Sequence, residues 1–262
     1  MKKIFSVICI AALMMTGCGQ EVKTETQVKE QAQEGNLTFV ASGEEAATEG
    51  FTTKDGWDLE FDHIYLTVSD IKAYQLDTDY DAETQEAIKG EASAVLEGEK
   101  TVDLAQENPE IGQVKAPYGQ YNAMSWKVIK ATEGVNKGAA LTFIGKAKKD
   151  GKEVNFEIAL DKENMYYAGE YLGDERKGIL DEGDADLQMT YHLDHLFGSI
   201  KRPDEEGVLG FEPLVKLEKD NMIKVDMKAL QEGLTKEEFK TLVDSIPHVG
   251  HVGEGHAYTE EI

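Results

Sequence analysis

Six histidines are spread over 262 residues, and five of them fall into two short segments. His248, His251 and His256 lie in the Gly-rich stretch PHVGHVGEGHAY. His192 and His195 lie in TYHLDHLFG, and His63 stands alone in FDHIYL. Neutral imidazole is the commonest protein ligand for zinc, copper and iron, and carboxylates complete such sets. The pattern points to a divalent transition metal held by His192, His195, His248 and His251. Asp194, His63, Glu254 and His256 are secondary candidates. Ligand type does not rank zinc, copper and iron. Gly250, Gly253 and Gly255 would let the tail curl so that its imidazoles converge. His192 and His195 converge only if their strand ends in a turn, because residues three apart on a straight strand point to opposite faces. Two blander readings stand beside this one: His63 as a satisfied core residue, and the tail as a frayed terminus.

Other chemistry is thinly represented. Asp77, Asp79, Asp81, Glu83 and Glu86 alternate through an acidic loop that could take calcium, but Ala82 and Ile88 break the EF-hand pattern. No nucleophile elbow, phosphate loop, dinucleotide fingerprint or HExxH is present, so no enzyme activity is expected. Fifty-one acidic against 27 basic side chains give a net charge of -24. Such a chain lacks the basic footprint that nucleic-acid phosphates require.

The elements that must position these residues are mostly strands. Hydrophobic residues make up 40% of the chain, enough for a packed core, and from Leu37 onward their period is two. Trp57, Leu59, Phe61, His63 and Tyr65 would share one strand face. LTFIGKAKK and KEVNFEIAL flank Asp150-Gly151, a hairpin signal because a type I′ turn needs two positive φ angles. Further strands are expected over 121–132, 165–172 and 186–193. With no long helix between them, they predict an all-β, antiparallel sandwich of immunoglobulin or prealbumin type. One helix is marked near the end, at about 235–246. Thr235 and Glu238 form a capping box there, Phe239, Leu242, Val243 and Ile246 an apolar stripe, and Pro247 stops it.

The first residues read as an export signal. Lys2 and Lys3 precede the apolar run from Ile4 to Met15, and Met15-Thr16-Gly17-Cys18 resembles a lipobox. The expected organisation is a signal peptide over 1–17, a lipid-anchored tether over 18–36 and the sandwich over 37–262. Lipid on Cys18 would hold the chain to a membrane on its extracytoplasmic side, in the cell envelope. As a coil of about 18 residues the tether would reach roughly 23 Å. Cys9 would leave with the signal, so the sandwich would have no thiolate for metal or catalysis.

The segments FDHIYLTVSDIKAYQ, APYGQYNAMSWKV, GDERKGIL, MTYHLDHLFG and GHVGEGH together resemble a family of bacterial lipoproteins of unknown function with a β-sandwich domain. VDL followed by a PxGxY strand is similar to a wider, prealbumin-like set of lipoproteins. The resemblance implies an exported, membrane-anchored β protein and suggests a link to metal handling or to a membrane transporter. The competing expectation is an envelope scaffold whose sheet edge or face binds another protein and whose histidines are incidental. If Cys18 carries the lipid, wild-type protein sediments with membranes and its amino-terminal peptide has a diacylglycerol mass. The C18S variant would then be released into the soluble fraction, and an unmodified amino-terminal peptide would refute the lipobox.

Overall fold

The computed structural model describes residues 33–169, 178–181 and 183–262. Cys18, the signal segment, the tether through residue 32 and most of GDERKGIL lie outside the described residues. The described residues all belong to one folded unit that ends at Ile262. Among the described residues, strands hold 46% and helices 16%, which makes the fold β in character. Among the described residues no helix is long and apolar enough to cross a membrane.

Two main sheets carry the core. The smaller has four strands in the order Gly250–His251, Asp184–Tyr191, Glu34–Ser42 and Glu110–Pro117. The larger has ten, and its main path runs Met222–Asp226, Lys152–Leu160, Leu141–Lys149, Asp58–Tyr74, Ala123–Val128, Asn164–Ala168 and Ala257–Glu261. Two pairings depart from the antiparallel expectation. Glu34–Ser42 runs parallel to Asp184–Tyr191, and Lys152–Leu160 runs parallel to Met222–Asp226. Both join segments far apart in sequence, where no hairpin turn dictates direction.

Local chemistry accounts for the most regular parts. Leu37, Phe39 and Ala41 alternate into the core with no exposure. Asp150 and Gly151 both take positive φ, and Lys149 pairs with Lys152 across that turn. The helix Lys236–Ser245 starts with the Thr235 hydroxyl accepting from the Glu238 amide while the Glu238 carboxylate accepts from the Thr235 amide.

The 17-residue strand Asp58–Tyr74 breaks the expected single face. Phe61 pairs with Gly145 and His63 with Ile144, so Asp62 is an inserted bulge residue. The bulge switches parity: Trp57 and Leu59 are buried before it, Ile64, Leu66 and Val68 after it, and His63 turns outward. Opposite the bulge, Gly145 lies so close that an added Cβ would sit 2.1 Å from the Glu60 carbonyl oxygen.

The sheets meet over aromatic side chains. Trp126 and Tyr166 of the larger sheet stack with centroids 5.1 Å apart, and the Trp126 indole Nε1–H donates to the Tyr191 hydroxyl of the smaller at 2.9 Å. All three rings are at most 1% exposed. The tail is not frayed. Its Gly250–His251 pair extends the smaller sheet opposite Thr190 and Tyr191, and Ala257–Glu261 then pairs with Asn164–Ala168 of the larger. The G145A variant, which must push backbone from backbone, is expected to lose about 1–3 kcal/mol of stability. Urea unfolding followed by circular dichroism measures this, and an unchanged midpoint would refute the close approach.

Candidate metal centre

Strand Asp184–Tyr191 ends in the buried Tyr191, and the chain then turns into a single helical turn, Asp194–Phe197. The His195 amide donates to the His192 carbonyl at 3.2 Å, which folds the two imidazoles toward each other. Their ring centres are 5.4 Å apart. Buried Leu193, Leu196 and Phe197 anchor the turn from below. His192, Asp194 and His195 each offer one ligand atom, all within 4.8 Å of one another, so the three can hold a metal ion. The Asp194 carboxylate is also held by Arg202, whose Nη2 lies 2.5 Å from Oδ2.

The tail brings a third imidazole. The His192 amide donates to the Val249 carbonyl at 2.8 Å, and His251 pairs with Thr190 across the ladder. Gly250 makes this possible, since a Cβ there would lie 2.6 Å from the Tyr166 ring. The His251 ring centre is 4.6 Å from that of His192 and 4.9 Å from that of His195. Its Nε2 lies 3.3 Å from His195 Nδ1. Two imidazoles on one tetrahedral ion, with metal–nitrogen bonds of about 2.0–2.1 Å, have facing nitrogens about 3.3 Å and ring centres about 5 Å apart. The His251 ring is thus at that spacing from its neighbours, although the atoms that converge within 4.8 Å of one another are those of His192, Asp194 and His195.

The remaining candidates are placed differently. His248 contributes its backbone: its carbonyl oxygen lies 2.6 Å from His195 Nδ1 and 2.7 Å from His251 Nε2, while its imidazole is exposed. His256 is exposed with its ring 5.9 Å from His251. Glu254 is exposed on the turn between them and borders a cleft of about 700 Å³ that also exposes His192 and Asp194. His63 is not brought to the cluster. Its Nδ1 lies 2.8 Å from Asp103 Oδ2, and its ring stacks on Tyr65. The bulge explains both its exposure and its choice of Asp103 over its neighbour Asp62. In the acidic loop, Asp81 Oδ1 accepts from the Glu83 amide and Asp79 Oδ1 from Asn122, and no ligand cluster forms there among the described residues.

Two residues escaped the sequence reading. Arg202 braces Asp194 from outside both histidine segments. Glu44 lies on the cleft wall with its Oε1 3.8 Å from His192 Nε2. The parallel strand pairing brings Glu44 there, and no local pattern reveals such a pairing.

No protein-family model, curated protein or solved structure matches this chain.

Electrostatics favour a neutral imidazole at His251. His251 is 6% exposed, and burial, reinforced by the neighbouring imidazoles of His192 and His195, lowers its pKa from 6.5 to about 4. Hydrogen bonds to the His248 and Gly255 carbonyls oppose the shift without cancelling it. A depressed imidazole pKa means that the unfolded chain takes up the proton first as pH falls. The contribution of His251 to metal-free stability is thus full above about pH 6.5 and is lost progressively down to about pH 4. Urea unfolding between these limits should show a steeper decline for wild type than for H251L. Parallel curves would contradict the buried, neutral ring.

Proposed function

We propose that this protein captures a divalent transition metal outside the cytoplasmic membrane, to which a lipid on Cys18 anchors it. The ligands are His192, His195, Asp194 and His251. The observation that carries the reading is that His192, Asp194 and His195 each offer a ligand atom within 4.8 Å of the others, with the His251 ring centre 4.6 and 4.9 Å from those of the two imidazoles.

The proton arrangement supports it. Both nitrogens of His251 face carbonyl oxygens, Nδ1 toward Gly255 at 3.0 Å and Nε2 toward His248 at 2.7 Å. A neutral ring has one proton, so it satisfies one carbonyl and turns a lone pair on the other. With Nδ1–H donating to Gly255, the Nε2 lone pair is left facing the His248 carbonyl oxygen at 2.7 Å, a contact that a cation bound by both atoms would relieve. Metal-binding imidazoles characteristically donate their second N–H to a backbone carbonyl in this way. The donors are nitrogen and oxygen only, a set that suits zinc, copper or iron. The net charge of -24 draws cations toward the surface. The cleft leaves the metal reachable from solvent, in keeping with a cargo passed to or taken from a membrane transporter.

Elemental analysis of protein purified without a His-tag or chelator should find about one equivalent of a transition metal. H192A, H195A and H251A should each weaken zinc binding in isothermal titration by at least roughly 10–100-fold, the range seen when a mere supporting partner is lost. H63A and H248A should bind as wild type does, because one is remote and the other contributes its backbone. Metal-free wild type that gains no thermal stability from zinc, copper or iron would overturn the reading.

A further inference from the structure

The parallel pairing of Glu34–Ser42 with Asp184–Tyr191 puts the carboxyl ends of both strands at one edge of the smaller sheet, with Ser42 opposite Thr190. Two residues further along the chain from each of this pair, Glu44 comes to face His192 across the cleft. We propose that Glu44 supplies the carboxylate that closes the metal site from this opposite wall, so that the ion is clasped between the ends of two parallel strands. The inference rests on the metal reading of His192, Asp194, His195 and His251.

Three features converge on Glu44. Its Oε1 and His192 Nε2 are 3.8 Å apart, too far for a hydrogen bond but a span that an ion about 2.0–2.2 Å from each atom bridges. Its backbone sits at φ +56, a left-handed conformation that a residue with a Cβ seldom adopts. The Ser42 hydroxyl, accepting from the Glu44 amide at 3.1 Å, holds it there. A glycine would take this conformation without penalty, so a glutamate here is favoured by what its side chain does. Charge balance points the same way. Asp194, the carboxylate on the histidine side, is already compensated by Arg202, which Glu205 also engages at 3.1 Å. The ion pair of the Glu44 carboxylate is with His192, a ring that is neutral when it binds metal.

The alternative is that Glu44 only places negative charge at the start of the five-residue helix Glu44–Thr48. Two variants of the full chain separate these roles, with zinc and cobalt(II) salts as probes. E44Q keeps the shape and backbone but weakens the ligand. E44G removes it and relieves the left-handed strain. Both should weaken zinc binding by at least about tenfold. Both should also change the visible ligand-field bands of bound cobalt(II), while metal-free E44G unfolds at or above the wild-type temperature. Zinc affinity and cobalt spectra unchanged in E44Q, with wild type binding normally, would overturn the role of Glu44 and leave the histidine site standing. A loss of affinity in E44G matched by a lower metal-free unfolding temperature, with E44Q unaffected, would assign Glu44 to the helix alone. Wild type that takes up neither ion would overturn both readings together.

Discussion

A single hydrogen bond deep in the core, from the Trp126 indole to the Tyr191 hydroxyl, holds the two sheets in the relation on which the cluster depends. Both groups are removed from water, so leaving either unpaired would cost about 1–3 kcal/mol. The bond therefore specifies one relative placement of the sheets where apolar packing alone would tolerate several. Tyr191 is the last residue before His192. Tyr166, stacked on Trp126, presses against Gly250, the last residue before His251. The same aromatic layer thus fixes the approach of both histidine segments, and Tyr166 further ties its hydroxyl to the Ile246 carbonyl at the end of the terminal helix. Both histidine segments are thus mounted directly on a fully buried aromatic layer.

Much of the fold was legible wherever its cause is local. The Asp150-Gly151 turn needs two positive φ angles and has residues that tolerate them. The Thr235–Glu238 capping box marks a helix start through groups three residues apart. Alternation in Leu37, Phe39 and Ala41 reports a half-buried strand directly. The failures come from geometry that sequence spacing does not encode. One inserted residue, Asp62, reversed the face of His63 and removed it from consideration as a ligand held with the others. The two parallel pairings join remote segments through backbone hydrogen bonds, which carry no side-chain signature.

The candidate site was legible in part for the same reasons. Imidazoles at 192 and 195 were visible as a pair, and their convergence waited only on where the strand ended. His251 was visible as a residue type, but its partnership with Thr190 rests on a two-residue strand too short to produce a period. His248 was noticed for its side chain and turns out to matter through its carbonyl, an atom every residue has. Glu44 was invisible because it is one acid among 51 and its position depends on the register of Ser42 against Thr190.

The direction of the strand Glu34–Ser42 has a consequence for access. The chain enters the domain at Glu34 and arrives at the cluster only after Ser42, eight steps of about 3.3 Å, or roughly 26 Å, further on. The start of the strand and the imidazole cluster are thus at opposite ends of it. A solute that reaches the imidazoles through the cleft beside Glu44 therefore meets the end of this strand that is remote from Glu34.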